Sequence, residues 1–341
     1  MKNLNGLRQQ SNSLQRSLSR DSRGLIALLL LFGSACSPVE TTVTPTAVGS
    51  TQNLSKNSNQ NPAPNQDKKV ILTTFTVIAD MAQQVAGDRA IIQSLTKIGA
   101  EVHGYEPTPS DLQRGQQADL ILDNGLNLER WAEKFYGNLQ NVPRVTLSQG
   151  VEVVNITQDE AAGKANPHAW MSPKAALIYV ENIRKALVDL DPTNASSYNT
   201  NAANYSEKIK NLDQKLRETI ATVPPEKRFI VSCEGAFSYL AKDYGLKELY
   251  LWAVNSDQQA TPRQIQNVIE QVKSQQIPVV FCESTVSADA QKQVARETGA
   301  KFAGVFYVDS LTTPEGAAPT YLDLLTYNIN TLVKGLKNSE Q

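Results

Sequence analysis

The chain has 341 residues, of which 40% are hydrophobic, and this is enough apolar side chain for about two domains. Its 33 basic and 34 acidic residues leave a net charge of −1. That balance argues against the clustered basic surface that nucleic-acid binding needs, so no nucleic acid is expected as a partner.

The first 35 residues have the pattern of a signal peptide. Four arginines precede the apolar run GLIALLLLFGSAC at residues 24–36, which is shorter than the roughly 20 residues of a transmembrane helix. The small residues Gly33, Ser34 and Ala35 stand directly before Cys36, as in a bacterial lipobox. We therefore predict a lipoprotein signal peptide over 1–35 and lipidation of Cys36. A plain cleaved signal peptide is the alternative.

Residues 36–68 are predicted to form a disordered tether. They are rich in Ser, Thr, Asn, Gln and Pro and show no apolar periodicity. A tether behind a lipidated cysteine lets a folded protein move near a membrane without entering it.

Strand-like and helix-like segments alternate from Val70 onward. Strands are predicted in VILTTFT, AIIQSL, ADLILDNG and PRVTLSQG, and helices in MAQQVAGD, TPSDLQRGQQ, NLERWAEKFYG and PKAALIYVENIRKALVDLD. Thr108 is a candidate N-cap, with Pro109 in the first helical position and Asp111 completing a capping box. The alternation predicts βαβ units with a parallel sheet, so residues 69–190 are expected to form an N-terminal α/β lobe.

A long helix is predicted next, over residues 191–223. Asp191 is the candidate N-cap and Pro192 suits the first position. Roughly 30 helical residues span about 45 Å, so this helix is long enough to link two lobes. A helical hairpin within one domain is the alternative.

The α/β alternation resumes over residues 224–341, the predicted C-terminal α/β lobe. Strands are predicted in RFIVSC, PVVFCES and KFAGVFYVDS. Helices are predicted in EGAFSYLAKDYG, in TPRQIQNVIEQVKSQQ with Thr261 as N-cap, in SADAQKQVARETG and in PTYLDLLTYNINTLVKGL. The predicted fold class is α/β, with two lobes that each contain a parallel sheet flanked by helices.

Cys233 and Cys282 each end a predicted strand. If Cys36 is lipidated, these two cysteines remain as a pair, and an oxidising compartment favours a disulfide between them. Neighbouring parallel strands would place their Cα atoms about 4.8 Å apart, which a disulfide tolerates. Two buried free thiols are the alternative.

Four polar residues stand near the predicted carboxyl ends of strands, where ligands bind to open parallel sheets. His103 follows the IIQSL strand and its loop, and His168 lies in NPHAWMSP before the helix that begins at Pro173. Glu234 follows strand FIVSC and Asp309 ends strand VFYVD. Taken one at a time, such residues are more often satisfied loop histidines or capping carboxylates than metal ligands. A cleft between the lobes would gather all four as a metal site.

Two imidazoles with two carboxylates favour Mn²⁺ as the bound ion. Carboxylate suits harder ions such as manganese, whereas zinc sites lean on more histidine or on thiolate, and this chain has only two histidines. Fe²⁺ stays an alternative. Zn²⁺ also does, because the intrinsic affinity order places zinc above manganese.

Long segments around these residues resemble one protein family. HGYEPTPSDLQRGQQADLILDNGLNLE, NPHAWMSP, CEGAFSYLAKDYGL and VDSLTTPEGAAPTYLDLLTYN are similar to the metal-binding lipoproteins of ABC importers for manganese and zinc, the cluster A-I solute-binding proteins. The nearest likeness is to cyanobacterial manganese-binding members, and the resemblance covers nearly all of residues 70–340.

The resemblance implies a fold and a ligand set. Two α/β lobes would be joined by a long rigid linking helix, with the metal site in the interlobe cleft. The zinc-binding branch tends to use a third histidine where this chain has Glu234, so the resemblance favours manganese. The cyanobacterial members also carry a cysteine pair like Cys233 and Cys282. The implied metal ligands are His103, His168, Glu234 and Asp309.

The expected function is that of an extracytoplasmic solute-binding protein, not an enzyme. It would capture Mn²⁺ at the periplasmic face of the bacterial cytoplasmic membrane, as a lipid-anchored monomer, and deliver the ion to an ABC permease. No Walker A motif occurs in the chain, so a separate ATPase subunit must supply ATP hydrolysis. The alternatives are a zinc-binding member of the family, a metalloenzyme or a surface adhesin.

Two mechanistic hypotheses follow. A stiff linking helix predicts small lobe motions, so release would require the permease to disturb the ligands. Because Cys233 adjoins Glu234, reduction of the disulfide is predicted to displace that carboxylate and to weaken metal binding.

Overall fold

The structure is a computed structural model, and it describes residues 68–139, 141–158, 160–254 and 260–338. These residues fall within one compact unit, Pro62–Gln341. The predicted signal peptide, the lipidation of Cys36 and the tether up to residue 67 lie outside the described residues. None of the helices in the described part combines the length and apolar character that crossing a bilayer requires.

Four parallel strands form the first sheet, in the order β2-β1-β3-β4. The central strand β1 buries the adjacent residues Ile71 and Leu72 completely, one on each face, because helices cover both sides of the sheet. The strands of this sheet and the helices between them are β1 (Lys69–Thr73), α1 (Thr76–Ala86), β2 (Ala90–Ser94), α2 (Pro109–Gln117), β3 (Leu120–Asp123), α3 (Ala132–Gly137) and β4 (Arg144–Thr146).

Two helices follow the first sheet, α4 (Pro173–Leu190) and α5 (Ala195–Ala221). The long helix starts later than predicted, because Pro192–Asn194 forms a separate 3₁₀ turn. The Asp191 carboxylate accepts hydrogen bonds from the side chains of Asn194 and Tyr198 and does not cap the helix backbone. The 27 residues of α5 span about 40 Å.

The second half of the chain forms two parallel strand pairs, β5-β6 and β7-β8. Strand β6 was not predicted, because its first two residues, Lys247 and Glu248, are charged and leave only a short apolar run after them. The elements of this second half are β5 (Phe229–Glu234), α6 (Ser238–Tyr244), β6 (Lys247–Trp252), α7 (Pro262–Ser274), β7 (Val279–Glu283), α8 (Asp289–Thr298), β8 (Lys301–Phe306) and α9 (Tyr321–Asn338).

Cys233 and Cys282 form a disulfide that joins β5 to β7. Their Cα atoms lie 4.8 Å apart, the spacing expected of neighbouring strands, and both residues are fully buried. Each strand takes its own ladder partner, β6 for β5 and β8 for β7. The covalent bond therefore links two strand pairs rather than reinforcing a shared ladder.

One continuous apolar core joins the two halves of the chain. Phe75 and Trp170 from the first half pack with ring centroids 4.9 Å apart, and Phe306 and Tyr321 from the second half belong to the same cluster. The Trp170 indole donates to Val308 O across 3.1 Å, and Trp170 O accepts from the Tyr321 hydroxyl. This shared core fixes the two halves of the chain against each other.

Candidate metal centre

His103 lies on the loop between β2 and α2, and the start of α2 anchors that loop. The predicted capping box is present, with Thr108 and Asp111 bonded reciprocally. Asp111 also accepts from the Tyr105 hydroxyl at 2.7 Å and pairs with Arg114. Burial alone raises the pKa of Asp111, but its hydrogen bonds to Thr108 and Arg114 lower it to about 2. The carboxylate is therefore charged and holds the end of the loop.

His168 is oriented by the side chain of Asn166. The Asn166 Oδ1 atom accepts the backbone N–H of His168 at 3.0 Å and lies 2.9 Å from its Nδ1. Since a backbone N–H only donates, the contacting Asn166 atom is an oxygen and Nδ1 must carry the ring proton. The lone pair is then on Nε2, which faces the site. Pro173 begins α4 directly behind this turn, as predicted, with Ser172 as N-cap.

Asp309 is held differently from the prediction, which placed it at the end of a strand. Strand β8 stops at Phe306, and Asp309 lies on the segment beyond it. The Asn328 side chain accepts from the Tyr307 N–H at 2.9 Å and donates to the Tyr307 C=O at 2.6 Å. Because these backbone groups are bonded to a side chain, they do not continue the strand ladder. Glu234, in contrast, is the last residue of β5.

The tertiary structure brings the four predicted residues together. Each offers a ligand atom, and these atoms lie within 4.8 Å of one another. His103 Nε2 is 3.0 Å from His168 Nε2 and 3.3 Å from Glu234 Oε1. His168 Nε2 is 3.4 Å from Glu234 Oε1, and Asp309 Oδ1 is 3.8 Å from His103 Nε2. The His103 side chain is 5% exposed and the other three are fully buried.

Burial sets the protonation of this site. It lowers the pKa of His168 to about 3, and it lowers the pKa of His103 although the negative charge of Glu234 opposes the shift. Both imidazoles are therefore neutral near pH 7 and offer lone pairs. Burial, followed by the nearby charges of Glu101 and Glu234, raises the pKa of Asp309. A divalent cation would relieve this crowding of carboxylates, so the arrangement favours binding one.

Sequence reasoning missed two acidic residues at the site. Glu101 accepts the backbone N–H of His103 at 2.8 Å and forms a side-chain hydrogen bond with Asp309. Glu283 accepts the backbone N–H of Glu234 at 3.1 Å and is 2% exposed. Glu283 follows Cys282 at the end of β7, so its place beside the carboxyl end of a strand was the available signal.

Comparisons with known proteins identify a family of metal-transport proteins. Residues 71–335 match the ZnuA family, described as zinc-uptake complex component A, periplasmic. The chain is 51% identical to the iron-binding protein YfeA of Yersinia pestis over 275 residues, covering 81% of this chain and 88% of that protein. It is 34% identical to the manganese ABC transporter substrate-binding lipoprotein PsaA of Streptococcus pneumoniae over 277 residues, covering 79% and 89%.

Solved structures of periplasmic metal-binding proteins have a similar fold. The Mn-bound periplasmic metal binding protein from Candidatus Liberibacter asiaticus matches with a TM-score of 0.74 and 45% identity, over 79% of this chain and 100% of that one. The periplasmic zinc binding protein TroA from Treponema pallidum also matches with a TM-score of 0.74, over 79% and 99%. At 24% identity, this second match shows the fold alone. The α/β fold class predicted from the sequence is confirmed.

Proposed function

Since this chain belongs to the ZnuA family of metal ABC transporter substrate-binding proteins, we propose that its cargo is Mn²⁺ and that four side chains bind it. Its relatives are transport proteins, and the chain is a metal-binding transport component rather than an enzyme. Such a component implies permease and ATPase subunits as partners. The proposed ligands are His103, His168, Glu234 and Asp309.

One observation carries the proposal: four buried donor groups from distant parts of the chain lie within 4.8 Å of one another. Two neutral imidazoles supply nitrogen donors and two carboxylates supply oxygen donors and negative charge. Burying acidic groups together is unfavourable without a compensating cation. A bound divalent cation would therefore offset the free-energy cost of burying these carboxylates together.

Manganese is preferred over zinc because half of the proposed donor set is carboxylate. Relatives whose names state manganese, such as the manganese ABC transporter lipoprotein PsaA and the manganese-binding lipoprotein MntA, support this choice. Iron is the second candidate, because the protein named iron-binding YfeA is 51% identical to this chain over 275 residues. Zinc is the third, since intrinsic affinity for such ligands is higher for zinc than for manganese.

We further propose how the protein is held at the membrane. A lipid on Cys36 would anchor it at the periplasmic face of the cytoplasmic membrane, and the tether over 36–68 would let the folded part reach its permease as a monomer. The proposed domain limits are 69–190 for the N-terminal lobe, 191–223 for the linking segment and 224–341 for the C-terminal lobe.

Metal titration of purified protein tests the proposed site. Calorimetry with Mn²⁺, Zn²⁺ and anaerobic Fe²⁺ should give one bound ion per chain, and His168→Ala and Asp309→Asn should each lose most of the affinity. Glu106→Gln, an exposed acidic residue on the His103 loop, is the matched control and should bind like wild type. Anomalous diffraction at the manganese and zinc edges, on protein purified from its native compartment, identifies the ion. Unchanged binding by both ligand variants would contradict the proposal.

A further inference from the structure

The loop that carries His103 meets the segment that carries Asp309 at one buried serine. The backbone N–H of Gly99 donates to Ser310 Oγ across 2.6 Å. Gly99 lies on the same loop as His103, and Ser310 directly follows Asp309 in the chain. Ser310 is 1% exposed. This hydrogen bond therefore ties a backbone near one proposed ligand to the residue next to another, across the two halves of the molecule.

Thr76, the first residue of α1, completes the hydrogen bonds around Ser310. The backbone N–H of Leu311 donates to Thr76 Oγ1 at 3.0 Å, which leaves the Thr76 hydroxyl hydrogen for Ser310 Oγ, 3.4 Å away. The Ser310 hydroxyl in turn donates to Leu311 O at 3.1 Å. Both hydroxyl hydrogens of the group then have an acceptor. We refer to Thr76, Gly99, Ser310 and Leu311 together as the latch.

The latch is built from uncharged groups beside an acidic site. Glu101, on the loop side, forms a side-chain hydrogen bond with Asp309, on the segment side, and Glu234 also interacts electrostatically with Asp309. Coulombic repulsion between these carboxylates acts across the same contact between the loop and the segment. The hydrogen bond between Gly99 and Ser310 does not depend on those charges. It therefore keeps the ligands near their binding positions.

The Gly99 end of the latch belongs to an exposed turn. The turn is closed by the backbone N–H of Ala100, which donates to Lys97 O at 3.0 Å. Gly99 has a φ of 81°, a left-handed conformation that glycine adopts without strain. Ile98 at the tip is 50% exposed. A protein that contacts this turn from outside can draw Gly99 away from Ser310 without entering the buried site.

We propose that the latch sets the rate at which the site releases its cation, and that contact with the exposed turn Lys97–Gly99 opens it. This inference rests on the proposed function, because it concerns release from the same site. Ser310 and Thr76 act as positioning residues: they hold the loop and the segment together and do not bind the ion.

Ser310→Ala tests the latch by removing the acceptor for Gly99. Protein loaded with Mn²⁺ is mixed with excess EDTA in a stopped-flow instrument, and release is followed by tryptophan fluorescence. We expect release to be about two- to tenfold faster, the effect of one lost hydrogen bond, with the association rate nearly unchanged. Hydrogen exchange at the amides of residues 96–104 should also become faster.

Thr76 provides an independent test should Ser310→Ala fold poorly. Thr76→Val keeps the volume and removes the hydroxyl, so it should speed release, whereas Thr76→Ser keeps the hydroxyl and should release like wild type. Thr312→Ala is the matched control, because the Thr312 hydroxyl bonds only within residues 312–318 among the described contacts. It loosens the same segment without touching the latch and should leave the release rate unchanged.

Two results would overturn the latch while leaving the proposed function intact. One is release from Ser310→Ala and Thr76→Val at the wild-type rate, with wild-type protein still binding Mn²⁺. The other is equal acceleration by Thr312→Ala, which would indicate general loosening of the segment. Failure of the wild-type protein to bind any of the three metals would instead contradict the proposed function itself.

Discussion

Asn166 links two of the four proposed ligands through one buried amide. Its oxygen accepts both N–H groups of His168, and its Nδ2 donates to Gly235 O at 2.6 Å, directly after Glu234. Nδ2 also reaches Ser238 Oγ at 3.1 Å, and that hydroxyl donates to the half-buried carboxylate of Glu248. Burial is the main cause that raises the pKa of Glu248 to about 7. A single side chain thus fixes the tautomer of a histidine and the position of a carboxylate.

Asn166→Ala is therefore expected to weaken Mn²⁺ binding by about 10- to 100-fold, as for other residues that orient a metal ligand. Calorimetric titration measures the loss. Asn182→Ala is the matched control, since Asn182 on α4 also donates two hydrogen bonds to backbone carbonyls, those of Leu147 and Gln149, away from the site. Equal affinity of the two variants would show that Asn166 has no special role.

At the scale of elements, the disulfide fixes the two strands whose ends carry Glu234 and Glu283. The bond joins Cys233 to Cys282, and each cysteine directly precedes one of these glutamates. Glu283 also accepts the backbone N–H of Glu234. Closing a loop of 49 residues stabilises the fold by about 4 kcal/mol in the chain-entropy model. Strand spacing at the site thus depends on a bond that a reductant can break.

Reduction of the disulfide is expected to weaken Mn²⁺ binding and to lower the melting temperature. The weaker binding follows from a shift of the β5 end, which carries Glu234. Titration with and without a phosphine reductant measures it, and the double variant Cys233→Ser with Cys282→Ser, which the reductant cannot change, is the control. Equal affinity of reduced and oxidised protein, at a temperature where both are folded, would refute the hypothesis.

At the scale of the whole molecule, the shared core and α5 resist large movements between the two halves. Helix α5 packs on α1 and α4 from the first half and on α9 from the second. Asp80 on α1 accepts the backbone N–H of Tyr321 at the start of α9, and burial raises the pKa of this carboxyl. A wide hinge motion would have to break these contacts and open the apolar core, so we expect movement on metal binding to be confined to loops.

Small-angle scattering should accordingly show metal-free and Mn²⁺-loaded protein with radii of gyration equal within about 1 Å. Hydrogen exchange on the same samples should change mainly in residues 96–104. A compaction of several ångströms on loading would indicate hinge closure and would contradict the rigid connection.

The sequence by itself determined the features that depend on neighbouring residues. The capping box at Thr108, the N-cap at Thr261 and the helix start at Pro173 were readable because the interacting groups are separated by only a few positions. The α/β alternation followed from local periodicity in the same way. The four residues that meet at the site were named from their motifs and their places near strand ends.

Only the tertiary structure decided features that depend on residues far apart in the chain. Strand β8 ends before Asp309 because Asn328 takes the backbone groups of Tyr307, and β6 is a strand although it starts with Lys247 and Glu248. The contact between Gly99 and Ser310 likewise has no local signal. Such hydrogen bonds join groups that only folding brings together, so no spacing in the sequence records them.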